Sequence, residues 1–224
     1  MTTPTDPPAQ KSRLRSLAPL LGLVVLAGVP LVLALALHGS SKPKLPGNVG
    51  EKKSATFLGS VATPIKPAPP IDLRNQLGQR VTLSQYHGKV VLVTFLYTHC
   101  PDVCPLIAGN LHATLSMLGP RARSVQVISV SVDPRGDTPR AVKTFLRRHD
   151  MTREMQYLIG SPSRLGRTWK AWNVGSQKDA SNPEFVAHSA LVYGITASGK
   201  LATLYPANFR PRDLVHDIAL LAAR

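Results

Sequence analysis

The chain contains two cysteines, Cys100 and Cys104, and three residues separate them. Side chains four positions apart on a helical turn point in the same direction, so the two sulfurs can face one ligand or each other. Deprotonated thiols bind soft metal ions and attack disulfides. The spacing of the pair therefore indicates metal-binding or redox chemistry.

A purely structural disulfide is the first alternative to this interpretation. Closing so short a loop removes little chain entropy, worth roughly 2 kcal/mol against about 3 kcal/mol for a fifteen-residue loop. A second alternative is a pair of unreactive core thiols. The sequence favours metal or redox chemistry over both, because the pair lies between two elements of regular structure.

The elements around the cysteines are a predicted strand and a predicted helix. Residues 90–97 are rich in β-branched and aromatic side chains, which predicts a strand that is buried on both faces. Residues 105–118 carry apolar side chains at helical spacing, and Gly119 ends the pattern. The thiols should therefore lie at a strand-to-helix junction, where the amides of the helix start favour the thiolate form.

The rest of the chain alternates between predicted strands and helices. A hairpin over 71–83 and the strands 124–132, 156–159, 189–195 and 201–205 alternate with helices that begin at Thr138 and cover 163–173 and 210–223. This order predicts an α/β sheet with helices on both faces. Ligands of such folds gather at the carboxyl ends of the strands, which is where the cysteines are expected.

The N-terminal part of the chain differs in composition from the rest. A basic tail, 1–16, precedes residues 17–37, which contain no charged residue and are long enough to cross a bilayer as a helix. A cleaved signal peptide is the alternative, but the apolar run exceeds the usual length of such a segment. Residues 38–68 are expected to be a linker with an early strand, and residues 69–224 the folded domain.

The formal net charge is +15, and most of it lies outside the first 38 residues. Such a field attracts an acidic protein partner or an anionic membrane surface, although it also serves solubility alone. Nucleic acid is not an expected partner, since aromatic residues are 5% of the chain and no binding motif is recognisable. The short basic tail before an apolar segment favours export, with the domain outside the cytoplasmic (inner) membrane and a single-pass anchor.

Three segments carry a resemblance to a known family. Residues 94–105, the string Ser131-Val132-Asp133-Pro134-Arg135-Gly136-Asp137-Thr138-Pro139, and Ala187-His188-Ser189 resemble the Sco/SenC family of thioredoxin-like copper proteins, from about Pro69 to the C-terminus. The resemblance implies a thioredoxin-like fold with a central mixed sheet flanked by helices. It also implies a membrane-tethered copper chaperone, loaded by a copper donor protein, that assists assembly of the copper-A centre in subunit II of cytochrome c oxidase.

The resemblance implies Cys100, Cys104 and His188 as the copper ligands. Two soft thiolates suit Cu(I), and an added imidazole gives a mixed site that also holds Cu(II). His99 ranks second, because neighbours on an extended segment point to opposite faces and Cys100 already faces the site. No such argument favours the remaining candidates His87, His112, His149 and His216.

Two positions depart from the family pattern. Ala187 stands where relatives usually have an aspartate before the ligand histidine, so a carboxylate that could orient the imidazole is missing. Gly136 stands where relatives commonly carry arginine. Asp133 has two interpretations, orienting a loop near the site or forming the turn before Pro134. Asp137 or Thr138 is expected to cap the next helix, and Asp102 to place a carboxylate at a helix start instead of binding the metal.

Two enzyme hypotheses compete with the copper-chaperone hypothesis. A thiol:disulfide oxidoreductase that reduces the copper-site cysteines of a client would use the redox pair Cys100 and Cys104 and would not need His188. Three intervening residues, instead of the two of a typical thioredoxin motif, disfavour this activity. A peroxidase is weaker, because no activating arginine can be assigned. We therefore expect a metallochaperone as the main function.

Overall fold

The central strand of the fold is the apolar run that precedes the cysteines. In the computed structural model, which describes residues 56–178, 186–188 and 190–224, Val90–Leu96 forms this strand and all seven of its residues are buried. Alternate side chains of a strand point to opposite faces. Both faces of the sheet are therefore covered at this position, as the sequence predicts.

The main sheet has eight strands in the order β1-β10-β9-β4-β5-β6-β2-β3. The strands β4, β5 and β6 run parallel, and the other neighbours in the sheet pair antiparallel. The strand bounds are β1 Ser60–Pro67, β2 Asp72–Asn75, β3 Arg80–Thr82, β4 Val90–Leu96, β5 Val125–Ser131, β6 Met155–Ile159, β9 Leu191–Ile195 and β10 Lys200–Pro206. The predicted mixed sheet is confirmed.

Four α-helices lie in the described part of the chain: α1 Val103–Leu118, α2 Pro139–Arg148, α3 Pro162–Ala171 and α4 Pro211–Ala222. Helix α1 buries the predicted apolar side chains, and Gly119, whose φ is +55°, is its C-cap. It packs against α4. Helix α2 begins after Thr138, whose side chain accepts a hydrogen bond from the Ala141 amide at 3.2 Å, so the predicted cap is confirmed.

Two features differ from the sequence prediction. Helix α1 begins at Val103 instead of Pro105, which places Cys104 inside its first turn. A second sheet, formed by β7 Ser176–Lys178 and β8 Val186–His188, was not predicted. Its strands are three residues long and carry no apolar periodicity, so the sequence gives no signal for them.

The predicted membrane anchor at 17–37 lies outside the described residues. Among the residues described, no helix combines the length and the apolar character that a membrane crossing requires.

Candidate metal and dithiol site

The cysteine loop connects the carboxyl end of β4 to the start of α1. The Cys100 amide donates a hydrogen bond to the Tyr97 carbonyl at 3.3 Å, which turns the chain after the strand. Asp102 occupies the N-cap position of α1. The Cys104 amide, in the first turn, donates to the Sγ of Cys100 at 3.4 Å. The sulfur of Cys100 therefore accepts a hydrogen bond from an amide at the N-terminus of this helix, where amides favour negative charge.

The two thiols have different electrostatic surroundings. Both cysteines are buried, and no disulfide joins them. The hydrogen bond from the Cys104 thiol, with further ones from the Asp102 and Cys104 amides and from Tyr97, lowers the pKa of Cys100 to about 6 against the opposing effect of burial. The same thiol hydrogen bond and burial raise the pKa of Cys104. At neutral pH, Cys100 is the thiolate and Cys104 retains its proton.

The buried carboxylate of Asp137 fixes the position of the cysteine loop by hydrogen bonds. Its carboxylate accepts hydrogen bonds from the Thr98 amide at 2.7 Å, from the Ser131 hydroxyl at 2.6 Å and from the Tyr157 hydroxyl at 3.0 Å. Burial raises the pKa of Asp137, and these hydrogen bonds oppose that shift. The carboxylate is also close enough to Cys104 to contribute to the raised pKa of that thiol. Asp137 thus links β5, β6 and the loop that carries Cys100.

The sequence prediction missed this role of Asp137, which it treated as a possible helix cap. Thr138 provides the cap, so the aspartate before it is free to turn inward. The sequence contains one signal for this: a single helix start needs one capping side chain, and the segment Asp137-Thr138-Pro139 supplies two.

His188 is the last residue of β8, and its backbone pairs with Ser176 of β7. Its side chain is outside the described part of the structure. Only two residues separate His188 from β9, which pairs antiparallel with β4 so that Val192 lies opposite Thr94. The Thr94 hydroxyl also donates to the Leu191 carbonyl at 2.9 Å. The start of β9 therefore lies beside the carboxyl end of β4, the edge from which the cysteine loop leaves.

The other residues singled out by the sequence lie in different surroundings. His99 is exposed where Cys100 is buried, as expected for neighbours on an extended segment, and its Nδ1 lies 3.2 Å from the Thr98 hydroxyl. Asp133 accepts a hydrogen bond from the Arg135 amide at 3.3 Å, which confirms the predicted turn. Asp102 lies at the helix start but makes no capping hydrogen bond through its side chain.

Three further histidines have partners away from the thiols. His112 lies 3.1 Å from a Glu154 oxygen, His216 lies 2.8 Å from an Asp217 oxygen, and the ring of His149 packs on Phe145. Within the described residues, no three side chains of His, Cys, Asp or Glu gather as a metal site requires. Cys100 and Cys104 are thus the two soft sulfur ligands that the described side chains bring together.

A parallel sheet core, with a cysteine pair where the central strand meets the next helix, is the architecture of thioredoxin-like dithiol proteins. The amino-acid sequence also shows the family within this class. The chain belongs to the SCO1/SenC family, whose sequence pattern matches residues 63–223.

Several curated proteins are similar in sequence. The SCO1 homologue of Bacillus subtilis is 31% identical over 153 residues, which are 66% of this chain and 79% of that protein. The SenC protein of Rhodobacter capsulatus is 27% identical over 161 residues, or 72% and 67% of the two chains. Against the mitochondrial SCO2 homologue of Danio rerio and SCO1 homologue of Homo sapiens, the matched region spans 49% and 51% of the relative, about half its length.

Solved structures share the fold. Apo Sco1 of Thermus thermophilus has a TM-score of 0.64 at 32% identity and covers 74% of this chain and 97% of its own. Copper-bound ScoI of Bradyrhizobium japonicum has a TM-score of 0.62 at 29% identity, covering 69% and 99%. BsSco, described as a member of the Sco family of cytochrome c oxidase assembly proteins, has a TM-score of 0.60 at 24% identity, covering 71% and 95%.

Proposed function

We propose that this chain is a copper metallochaperone in which Cys100, Cys104 and His188 hold one copper ion as cargo. Its client is subunit II of cytochrome c oxidase or a similar protein with a copper-A centre, and a separate donor protein supplies the copper. Residues 17–37 anchor the chain in the inner membrane with the domain on the extracytoplasmic side. The observation that carries the proposal is the buried thiol pair at the end of β4, in a chain of the SCO1/SenC family.

The thiol pair fits copper by its chemistry. Thiolate sulfur is a soft ligand that selects Cu(I), and the lowered pKa of Cys100 makes one thiolate available at neutral pH without a metal. Cys104 loses its proton when the metal binds, so binding releases a proton. The copper-bound state of ScoI from Bradyrhizobium japonicum supports the same cargo here.

His188 is proposed as the third ligand from the path of the backbone. The pairing of Val192 with Thr94 brings the chain before β9 to the edge where the cysteine loop begins. A ligand on a separate hairpin can leave the metal without moving the two thiolates. Copper can then pass to a client by exchange of one ligand at a time.

Ala187 alters this third ligand in the proposed site. The family resemblance implies an aspartate at this position, and a carboxylate next to a ligating histidine orients the ring and raises its basicity. Ala187 pairs through its backbone with Gln177 and has no such group. We expect His188 to bind copper more weakly than a histidine that follows an aspartate.

The test is an anaerobic copper titration of the reduced full-length chain beside its Cys100→Ala, Cys104→Ala and His188→Ala variants. One tight copper per chain is expected, with marked loss of affinity in each variant, and His99→Ala is the matched control that should bind as the parent does. Stable copper binding in all three variants would contradict the proposal. The thiolate-to-copper absorption reports which sulfurs coordinate the metal.

A thiol:disulfide oxidoreductase is the second candidate, and the contact between the two cysteines favours it. The Cys100 thiolate would attack a client disulfide and form a mixed disulfide, releasing one client thiol. Cys104 would lose its proton and attack Cys100, which frees the second client thiol. The client disulfide gains two electrons, the pair becomes a Cys100–Cys104 disulfide, and another cellular dithiol must reduce it.

The His188→Ala variant separates the two functions. If the chain is mainly a reductase, this variant keeps full disulfide-exchange activity toward a model disulfide peptide, and copper binding is weak whether or not the histidine is present. If it is a chaperone, the variant loses copper affinity while the reduction potential of the thiol pair, measured against glutathione, is unchanged.

A further inference from the structure

A cleft next to the cysteine loop contains none of the three proposed copper ligands among its lining residues. It encloses about 530 Å³ between the loop that carries Thr98 and His99, the turn at Arg135, and one side of α2. This volume is in the range of about 300–1,000 Å³ that is usual for ligand sites. Thr98 and His99 directly precede Cys100, so a molecule in the cleft would lie against the proposed copper site.

The lining of the cleft is basic. Arg135, Arg140 and Arg148 line it, and all three are exposed. Among the described residues none of the three forms an ion pair with a carboxylate, whereas Arg80 and Arg210 each do, at 2.7 and 2.8 Å. The three guanidinium groups therefore keep their capacity to bind a carboxylate in two-point geometry.

Two acidic residues near the cleft form hydrogen bonds that do not involve its guanidinium groups. Asp137 points into the interior, toward Ser131 and Tyr157. Asp133 accepts a hydrogen bond from the Arg135 amide and lies against Gly136. Neither carboxylate forms an ion pair with an arginine of the cleft.

Gly136 brings the two loops of the cleft together. A Cβ at this position would collide with the Asp133 carboxylate and lie 3.1 Å from the Nδ1 of His99. Because glycine has no side chain, His99 and the turn at Arg135 approach closely here. The rim of the cleft is consequently continuous with the cysteine loop.

Ala141 and Phe145 give the cleft an apolar part, here called its floor, beside the charged arginines. Phe145 lines it and is buried, held by Tyr157, and Ala141 lies one helical turn before it. A free inorganic anion would use the guanidinium groups only, whereas a peptide would use the floor as well.

We propose that this basic cleft binds an acidic polypeptide segment of the protein with which the chain exchanges copper. The inference rests on the proposed function, since it is the exchange of copper that requires a protein partner beside Cys100. Carboxylates of the partner pair with Arg135, Arg140 and Arg148, and an apolar atom group rests on Phe145. Binding there places the partner's own copper ligands next to the cysteine loop.

The test measures binding of a fluorescein-labelled, acetylated peptide of four glutamates to the copper-free full-length chain by fluorescence anisotropy. The cleft variant Arg135→Gln/Arg140→Gln/Arg148→Gln is compared with Arg121→Gln/Arg123→Gln/Arg153→Gln, which removes the same charge from exposed positions outside the cleft. We expect the cleft variant to bind the peptide about tenfold more weakly and the control variant less than about threefold more weakly. A peptide of four glutamines should bind neither the parent chain nor the two variants.

Two results would overturn the inference. Equal loss in both triple variants would show that the peptide responds to overall charge, and inorganic phosphate binding the cleft as tightly as the peptide would show a small-anion site. Copper titration of the same variants keeps the two proposals apart, because the cleft variant should still bind one copper. If no form of the chain binds copper but the cleft variant alone loses the peptide, the copper proposal fails while the peptide site stands.

Discussion

Asp137 and Asp217 are both buried aspartates that accept a tyrosine hydroxyl, but they hold different parts of the molecule. Asp137 binds the Thr98 amide and so fixes the cysteine loop. Asp217 accepts the Leu58 and Gly59 amides at 2.9 and 2.8 Å and the Tyr205 hydroxyl at 2.8 Å, which ties the chain before β1 to α4.

The two carboxylates differ in whether a reactive thiol lies near them. Burial raises the pKa of Asp137, whose charge also acts on the proton of Cys104. Asp217 lies in α4, and its hydrogen-bond partners are the Leu58 and Gly59 amides, the Tyr205 hydroxyl and the His216 ring, none of which is a thiol. One type of contact therefore serves the reactive site in one region and the stability of the sheet edge in the other.

The largest effect on stability should come from Asp217→Ala. The substitution removes the acceptor shared by the Leu58 and Gly59 amides and the buried Tyr205 hydroxyl, so we expect the free energy of unfolding to fall by roughly 3 kcal/mol. Copper affinity should change less than about twofold, because no contact of Asp217 reaches the thiols. Urea unfolding and copper titration of the same samples measure both quantities.

Asp213→Ala is the matched control on the same helix, since Asp213 forms an ion pair with the exposed Arg210. Its cost should remain below about 1 kcal/mol. A loss of stability in Asp217→Ala no larger than in this control, or a large loss of copper affinity, would contradict the division of roles.

Two glycines sharpen the same comparison. A Cβ on Gly59 would meet the ring of Tyr205, which the Asp217 hydrogen bond holds in place, so Gly59→Ala should cost about 2 kcal/mol. A Cβ on Gly136 would meet the end of the Asp133 side chain, which can rotate away, so Gly136→Ala should cost less than about 1 kcal/mol. Urea unfolding compares the two; equal costs would mean that the thiol region is as rigid as the β1 region.

How far the sequence predicts this fold depends on where each signal lies. The apolar run of β4 and the Thr138-Pro139 start of α2 are local patterns, and each element forms where predicted. The contacts of Asp137 join residues from three separate segments, and no local pattern reports such a contact. The motif that contains Asp137 was identified, while the direction of its side chain was not.

The candidate site also has one part that local sequence predicts and one part that it does not. The spacing of Cys100 and Cys104 and their place after a buried strand predict a shared dithiol, and the structure brings the two together. The β7–β8 sheet that carries His188 depends on backbone pairing between Ser176 and His188, which strands of three residues do not indicate in the sequence. The role of His188 therefore stays a prediction, based on resemblance and on the path of the chain into β9.

Asp137→Asn tests the region near the thiols, and its effect on stability should be smaller than that of Asp217→Ala. The amide keeps the size of the side chain but removes the buried charge, so the lost hydrogen-bond strength is partly offset at neutral pH. We expect a cost of less than about 1 kcal/mol at pH 7. Copper affinity should fall about tenfold, because the Thr98 amide loses a charged acceptor and the loop before Cys100 is held less firmly.

The pH dependence of that variant has a defined sign. The folded chain raises the pKa of Asp137, so the wild type gains stability from protonation as the pH falls, fully so below the ordinary aspartate pKa of about 4. The stability advantage of the wild type over Asp137→Asn should therefore be larger at pH 4 than at pH 7, and it should be lost as the pH rises through the raised pKa. An advantage that grows toward pH 7 would mean that the carboxylate is favoured in its charged form.

The smallest expected effect is on the pH at which Cys100 reacts, and the fold is unchanged. With a pKa of about 6, its alkylation by iodoacetamide should reach half of its maximal rate near pH 6 and a plateau above about pH 7. Cys104→Ala removes the thiol that donates the hydrogen bond to Cys100, so the midpoint should move to higher pH, whereas Asp217→Ala should leave it in place. A midpoint that moves equally in both variants would show that the thiol pair responds to the whole domain, and the two buried carboxylates would no longer mark separate regions.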